Sequence, residues 1–300
     1  MSAPDKSLAE RHQVAFRSAR TIGDATPGPQ LRRQVAEVPI ATAALEAITV
    51  TGLSQYRRCP LAFKLRFIED AAGLDETWGL GRLEGRASGA LVGSFAHLVV
   101  EMVGREGSAA LDEAMATAGR SPEVGGRLNS RQMRNVRNWI ETYLQTPTYA
   151  TIIRQADYLR SEVPVVFGVD GVMVEGKIDA LAEMADGGVH VLDYKTGRPP
   201  DADGLSQYQF QIGLYSEAVG KTFGELPASA MLINLSAEIP EPLPMPPVEE
   251  IAGRALCEAR EALLNIGYRR FDPRPSQWAC GDCDFRHLCE YCAAEQGALG

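Results

Sequence analysis

Val174-Glu175-Gly176-Lys177-Ile178-Asp179 and, a hairpin's length later, Val191-Leu192-Asp193-Tyr194-Lys195-Thr196-Gly197 are the segments whose reading decides the fold. Both read as strands, and Ala185-Asp186-Gly187-Gly188 between them reads as a hairpin turn. Strand side chains alternate, so Asp193 and Lys195 share one face and Tyr194 points to the other. With the turn centred near Asp186, the register sets Asp179 opposite or diagonal to Asp193. Like charges facing each other across a ladder destabilise it, so a compensating cation is expected. Mg²⁺ or Mn²⁺ suits carboxylate, carbonyl and water ligands. Such an ion would polarise a phosphoryl oxygen and activate water. Lys195 would orient or deprotonate that water, or stabilise developing charge, because a lysine lowers its pKa when partly desolvated. A surface hairpin with ordinary Asp and Lys pairs fits these spacings equally well.

Working outward, 162–167, 172–184 and 189–194 are rich in β-branched residues, and Val169-Asp170-Gly171 is a second turn, which predicts three antiparallel strands. A helix at 206–219 and a strand at 228–234 complete a β-β-β-α-β order, followed by a proline-rich crossing at 240–247 and a helix at 248–266. Upstream, Leu91, Phe95, Leu98, Val99, Met102 and Val103 recur at helical spacing within 88–118, as do Val136, Ile140 and Tyr143 within 130–145. A further helix is predicted from Leu53 with Ser54 as N-cap and Pro60 kinking or delaying it. Residues 1–45 read as an arm or tail, and 73–87 as a loop.

Four further residues bear on such a site. His97, four residues after Gly93, is either a metal ligand or a satisfied histidine at a helix margin; Gly93 would let backbone or substrate approach closely. Gln211 and Tyr215 lie at i and i+4, so amide and phenol face one way and suit a phosphate or base edge. Glu162 is read as a solvent-side strand residue rather than an extra acidic ligand.

With 300 residues and 45% apolar content the chain can build a substantial core. No apolar run is long enough for a membrane span, and the first 40 residues lack an apolar signal core, so a cytoplasmic location is expected. A net charge of −9 excludes a uniformly basic surface for wrapping nucleic acid. Arg57, Arg58, Lys64 and Arg66 nonetheless cluster around Cys59, as a local phosphate track or as solvated helix charges. Four of the six cysteines fall between Cys280 and Cys292, which in a cytosolic chain reads as metal ligation rather than disulfides. Cys280, Cys283 and Cys289 suit a tetrahedral or cubane centre, with Cys292 the local candidate for a fourth ligand and zinc or iron–sulfur equally allowed. Cys257, beside Ala255 and Leu256, reads as a small buried residue.

Taken together, Gly93-x-x-x-His97, Gly176-x-x-Asp179, Asp193-Tyr194-Lys195-Thr196-Gly197 and Gln211-x-x-x-Tyr215 resemble, in order and spacing, the RecB-like branch of the PD-(D/E)XK nucleases. The resemblance implies an α/β, restriction-endonuclease-like core, a mixed sheet flanked by helices. It implies metal ligation by His97, Asp179, Asp193 and the Tyr194 carbonyl, catalysis by Lys195, and support of the scissile phosphate by Gln211 and Tyr215. Ile178-Asp179 replaces the eponymous Pro-Asp dipeptide. The resemblance extends to AddB-type and iron–sulfur CRISPR-associated exonucleases, in which one cysteine before the core and three after it hold a 4Fe–4S cluster. That implies Cys59 as the partner of Cys280, Cys283 and Cys289. The resulting division is an arm at 1–45, a helical part at 46–160 containing Cys59 and His97, a nuclease core at 161–247, and a C-terminal helix with an iron–sulfur module at 248–300. The implied activity is exonucleolytic hydrolysis of single-stranded or frayed DNA in recombination or repair. The alternative is a noncatalytic DNA-binding or assembly component of a helicase–nuclease or spacer-acquisition complex. No Walker-type phosphate loop occurs, so unwinding would come from a helicase partner.

Overall fold

The structure is a computed structural model that describes residues 45–71, 86–122, 124, 126–281 and 283–292. The expected N-terminal arm, save residue 45, and residues 73–85 of the expected loop lie outside these; residues 86 and 87, expected in that loop, instead open a helix. The elements are β1 (Ala47–Thr49), α1 (Val50–Arg58), α2 (Pro60–Phe63) continuing into a π turn (Lys64–Ile68), α3 (Arg86–Val103), α4 (Leu111–Ala118) and α5 (Ser130–Tyr143). Then come β2 (Tyr158–Val169), β3 (Val172–Glu183), β4 (Val189–Lys195), α6 (Ala202–Phe223), β5 (Ser229–Asn234), α7 (Val248–Gly267) and α8 (Gln277–Gly281).

The predicted β-β-β-α-β order is observed, and β3 is its axis. Along one edge β2 pairs antiparallel with β3 from Val169↔Val172 to Tyr158↔Glu183. The other edge is shared: β1 pairs parallel with Met173–Glu175, and β4 pairs antiparallel with Ala180–Glu183. β5 then adds parallel to β4, giving a mixed sheet. Between those two pairings the edge of β3 from Gly176 to Asp179 carries no ladder partner among the described residues.

Helices cover both faces. Leu53, Phe63, Phe210, Leu214 and Ile251 bury one face with Val174, Ile178 and Val191. Phe95, Val99, Val136, Ile140 and Tyr143 bury the other with Ala182, Leu192 and Tyr194. A sheet with two apolar faces needs two such layers, which explains the apolar runs in β3 and β4. Where α6 and α7 cross, Gly213 lets the helices touch: a Cβ there would lie 2.5 Å from the Ile251 carbonyl oxygen.

Local details depart from the sequence reading. α1 begins at Val50, and its cap is Thr49, whose Oγ1 accepts from the Gly52 amide at 2.9 Å, rather than Ser54. The turn before Pro60 separates α1 from α2, as Pro at the first helical position favours. The run at 88–118 is not one helix: Gly104, at φ +45°, ends α3, and the chain restarts as α4. β1 was not predicted, being only three residues long. Cys257 is exposed on α7 instead of buried.

The arginines around Cys59 form neither a free phosphate track nor a solvated face. Arg57 pairs with Glu258 and donates to Ser206 Oγ at 2.8 Å. Arg58 donates to the Trp278 and Ala279 carbonyls, both at 3.0 Å, and its guanidinium lies over the Trp278 ring. Arg66 pairs with Asp284 at 2.5 Å, and Lys64 with Glu69 at 2.8 Å. Arg58 and Arg66 tie this stretch to the C-terminal segment, Arg57 ties it to α6 and α7, and the Lys64 pair is local. Gly213→Ala is expected to destabilise the fold by about 1–3 kcal/mol, read as a lower urea midpoint at unchanged slope.

Candidate metal centre

The gap in the edge of β3 is where the expected site residues meet. The β3–β4 register ends at Ala180↔Leu192, so Asp179 and Asp193 are the first residues beyond the paired region. There the Asp179 carboxylate takes over the role of a backbone partner: its Oδ2 accepts from the Tyr194 amide at 2.7 Å. Asp193 is 1% exposed and its Oδ1 has no hydrogen-bond partner. Its Oδ2 lies 2.6 Å from Lys195 Nζ. His97 reaches in from α3, with Nδ1 3.6 Å from Asp179 Oδ2.

α6 closes the other side. Lys195 Nζ donates to Gln211 Oε1 at 3.2 Å, and Gln211 Nε2 donates to Tyr215 Oη at 3.0 Å, so the predicted i, i+4 pair forms a relay anchored on the lysine. Gly176 makes room for it, because a Cβ there would lie 2.8 Å from Tyr215 Cε1. Gly93 serves packing too: Thr196 Oγ1 would be 3.1 Å from its Cβ. Tyr194 points to the opposite face as expected, where its hydroxyl meets that of buried Tyr143 at 3.0 Å.

The electrostatics favour a cation. Burial, and then the Lys195 charge, hold His97 below the ordinary histidine pKa, leaving it neutral and able to ligate. Burial and the neighbouring Asp193 charge push Asp179 up to about 7. Burial alone would lower Lys195, but the charges of Asp193 and Asp179 outweigh it and hold the lysine above its ordinary value. The expectation of a lysine depressed by desolvation is therefore corrected. A buried carboxylate with an orphaned oxygen, a half-buried one and a neutral imidazole form a donor set that fits a hard divalent ion.

Glu162 corrects the sequence reading as well. It is not a solvent-side bystander: one carboxylate oxygen lies within 4.8 Å of ligand atoms of both His97 and Asp179. The signal was present in the Val169-Asp170-Gly171 turn, since a hairpin folded there sets residue 162 against residue 179.

At the far end of α1, Cys59, Cys280, Cys283, Cys289 and Cys292 line one cavity. Cys59 sits in extended backbone between α1 and α2, and the others lie on successive turns. Both readings of the remaining cysteine are accommodated, because Cys59 and Cys292 reach the same space. Among the described residues the lining carries no carboxylate or imidazole, and burial raises the Cys283 and Cys289 thiols. Five thiols among mostly apolar neighbours, with Arg286 and Tyr291 also on the lining, are the ligand type a soft metal centre takes.

The chain thus combines a mixed sheet covered by helices on both faces with acidic residues, a lysine and a histidine gathered at a break in one strand edge. The profile of the PD-(D/E)XK nuclease superfamily matches residues 47–290, and the chain belongs to that superfamily. It is 32% identical over 125 residues to the gene 69 protein of Mycobacterium phage D29, covering 40% of this chain and 44% of that protein. It is 30% identical over 114 residues to one component of an ATP-dependent helicase/nuclease of Clostridium perfringens, covering 37% of this chain and 9% of that component. The chain thus spans less than half the length of these relatives. In fold it is similar to a candidate exonuclease from Eubacterium rectale, with a TM-score of 0.51 at 14% identity, over 89% of this chain and 94% of that one.

The raised Asp179 pKa has a measurable sign. The folded protein keeps a proton up to about pH 7, whereas the unfolded chain releases it near the usual ~3.9. The contribution is therefore full below about pH 4 and lost as pH rises through about 7. Without added metal, the melting temperature of the protein should fall from about pH 5 to pH 8 relative to Asp179→Asn, and Mn²⁺ should recover the loss at the higher pH.

Proposed function

We propose that the chain is a divalent-metal-dependent DNA nuclease, an exonuclease acting on single-stranded or frayed ends in recombination or repair. The observation that supports this most strongly is the meeting of Asp179, Asp193, His97 and Lys195 at the unpaired edge of β3.

Asp179, Asp193, His97 and the Tyr194 carbonyl would hold Mg²⁺ or Mn²⁺, which when bound polarises a phosphoryl oxygen and lowers the pKa of water. Asp193 contributes a buried oxygen that no protein donor satisfies. Charged Lys195, held between Asp193 and Gln211, is placed to orient the attacking water and to stabilise negative charge growing on the phosphate. Gln211 and Tyr215 fix the lysine and offer polar groups beside the scissile phosphate. Among the described residues no helix is long and apolar enough to cross a membrane.

The cysteine cavity is assigned to a 4Fe–4S cluster on Cys59, Cys280, Cys283 and Cys289, in a structural role. Support comes from the five thiols that line the cavity and from the arginines that bring Cys59 to the C-terminal segment. The C. perfringens relative is named as part of a helicase/nuclease, which supports a helicase as partner. The divisions at 46–160, 161–247 and 248–300 are proposed as functional parts; among the described residues, β1, α1 and α7 share a core with the central strands.

The test is a gel of end-labelled linear and circular DNA, single- and double-stranded, with Mn²⁺. Linear single strands should be degraded, and Asp193→Ala and Lys195→Ala should each abolish cleavage without loss of fold. Undiminished cleavage by both variants would overturn the assignment, and intact DNA with the wild-type protein would favour the noncatalytic DNA-binding role. For the cluster, anaerobic protein should be brown with about four iron atoms and lose stability in Cys59→Ala. A colourless protein carrying a single zinc ion would reject it.

A further inference from the structure

Glu162 is in the wrong backbone conformation for the middle of a strand. Its φ is +53°, in the left-handed region that a non-glycine residue rarely enters. The pairs Ser161↔Ala180 and Val163↔Ile178 bracket it, so it stands directly across from Asp179, and this pair alone is missing from the ladder.

At that same pair the alternation of both strands changes phase. Val163, Val165 and Phe167 face the α6–α7 core, but Leu159, of the same parity, faces the α3–α5 core. On β3, Val174 and Ile178 face the first core, and Ala180 and Ala182 the second. A regular strand pair keeps one phase throughout. The break therefore re-aims the two acidic side chains, as bulges beside functional sites do.

The re-aimed Glu162 carboxylate comes within 4.8 Å of His97 and Asp179 ligand atoms. Lys177 of β3 also holds it in an ion pair, with lysine and glutamate side chains 59% and 29% exposed. A pair that open contributes little to stability and needs neither a left-handed backbone nor an approach to a neutral histidine. Glu101, one turn beyond His97 on α3, lines the same small cavity and adds another negative group. Beside this cluster, Asp193 Oδ1 is the buried, unpartnered acceptor.

We infer that Glu162 is an additional ligand of the divalent-ion site, delivered from β2, and that Lys177 is a built-in competitor for its carboxylate. This rests on the reading of His97 and Asp179 as ligands of that ion. In this arrangement β2 joins α3, β3 and β4 in supplying donors to a single ion. The ion must displace the Lys177 ammonium to gain the Glu162 carboxylate, so Lys177 tunes affinity.

Mn²⁺ binding to the intact protein, followed by calorimetry and by loss of the free-ion paramagnetic resonance signal, tests this without reference to cleavage. Glu162→Gln should weaken Mn²⁺ binding by about tenfold or more, as loss of support to a metal site does. Lys177→Met should tighten it. Glu162→Gly separates ligation from folding, because glycine accepts the left-handed backbone: its melting temperature without metal should hold or rise while Mn²⁺ affinity falls. Asp179→Asn is the control for the site itself. If Asp179→Asn loses Mn²⁺ and Glu162→Gln binds it as wild type does, Glu162 is no ligand and the metal site survives. If neither variant changes binding, the metal assignment itself fails. Equal weakening by Glu162→Gln and Lys177→Met would make the pair a structural unit and overturn the ligand role.

Discussion

The hydrogen bond from the Tyr194 amide to the Asp179 carboxylate is the interaction on which the rest of the site depends. Where two antiparallel strands would continue to exchange backbone hydrogen bonds, a side chain accepts instead. The amide is satisfied, as a buried N–H must be, while the two strands are free to separate. That separation exposes the edge of β3 from Gly176 to Asp179 and leaves Asp193 Oδ1 buried without a donor. A sheet that closed fully would have no acidic gap, and one that opened without this bond would leave an orphaned amide.

The two helical layers hold that gap open. α3 brings His97 from one face and α6 brings Gln211 and Tyr215 from the other. Both helices are fixed by large apolar contacts: Phe95 and Val99 for the first, Phe210 and Leu214 for the second. Polar groups on rigid elements can be placed more closely than groups on loops. Tyr194 couples the layers, since its amide serves the site while its ring is locked against Tyr143 beneath α3 and α5.

Much of this was legible in the residues. Period-two alternation and two glycine turns fixed three strands to within a few residues, and the same register placed Asp179 near Asp193. The i, i+4 spacing of Gln211 and Tyr215 correctly implied a shared face. What escaped was whatever depends on tertiary partners. Nothing local marks Ala47–Thr49 as a strand, because three residues carry no period and its pairing lies over a hundred residues away. Arg57, Arg58 and Arg66 looked like a basic patch until their acceptors on α7 and the C-terminal segment came into view. Glu162 was misread because alternation assumes one phase along a strand, and here the phase slips at that residue.

The arginine ties and the shared cysteine cavity also bear on the order of assembly. Cys59 leaves the ribosome long before Cys280, and the two meet only after the sheet and α7 lie between them. Contacts so distant in sequence carry a large loop-closure cost and form late unless the intervening chain is already compact. The side chains that gather at the acidic gap all fall between residues 97 and 215, whereas those lining the thiol cavity come from both flanks of the sequence. Vectorial synthesis would therefore present a largely formed strand scaffold with Cys59 waiting beside it, so that arrival of the C-terminal turns is the last closing step of the fold.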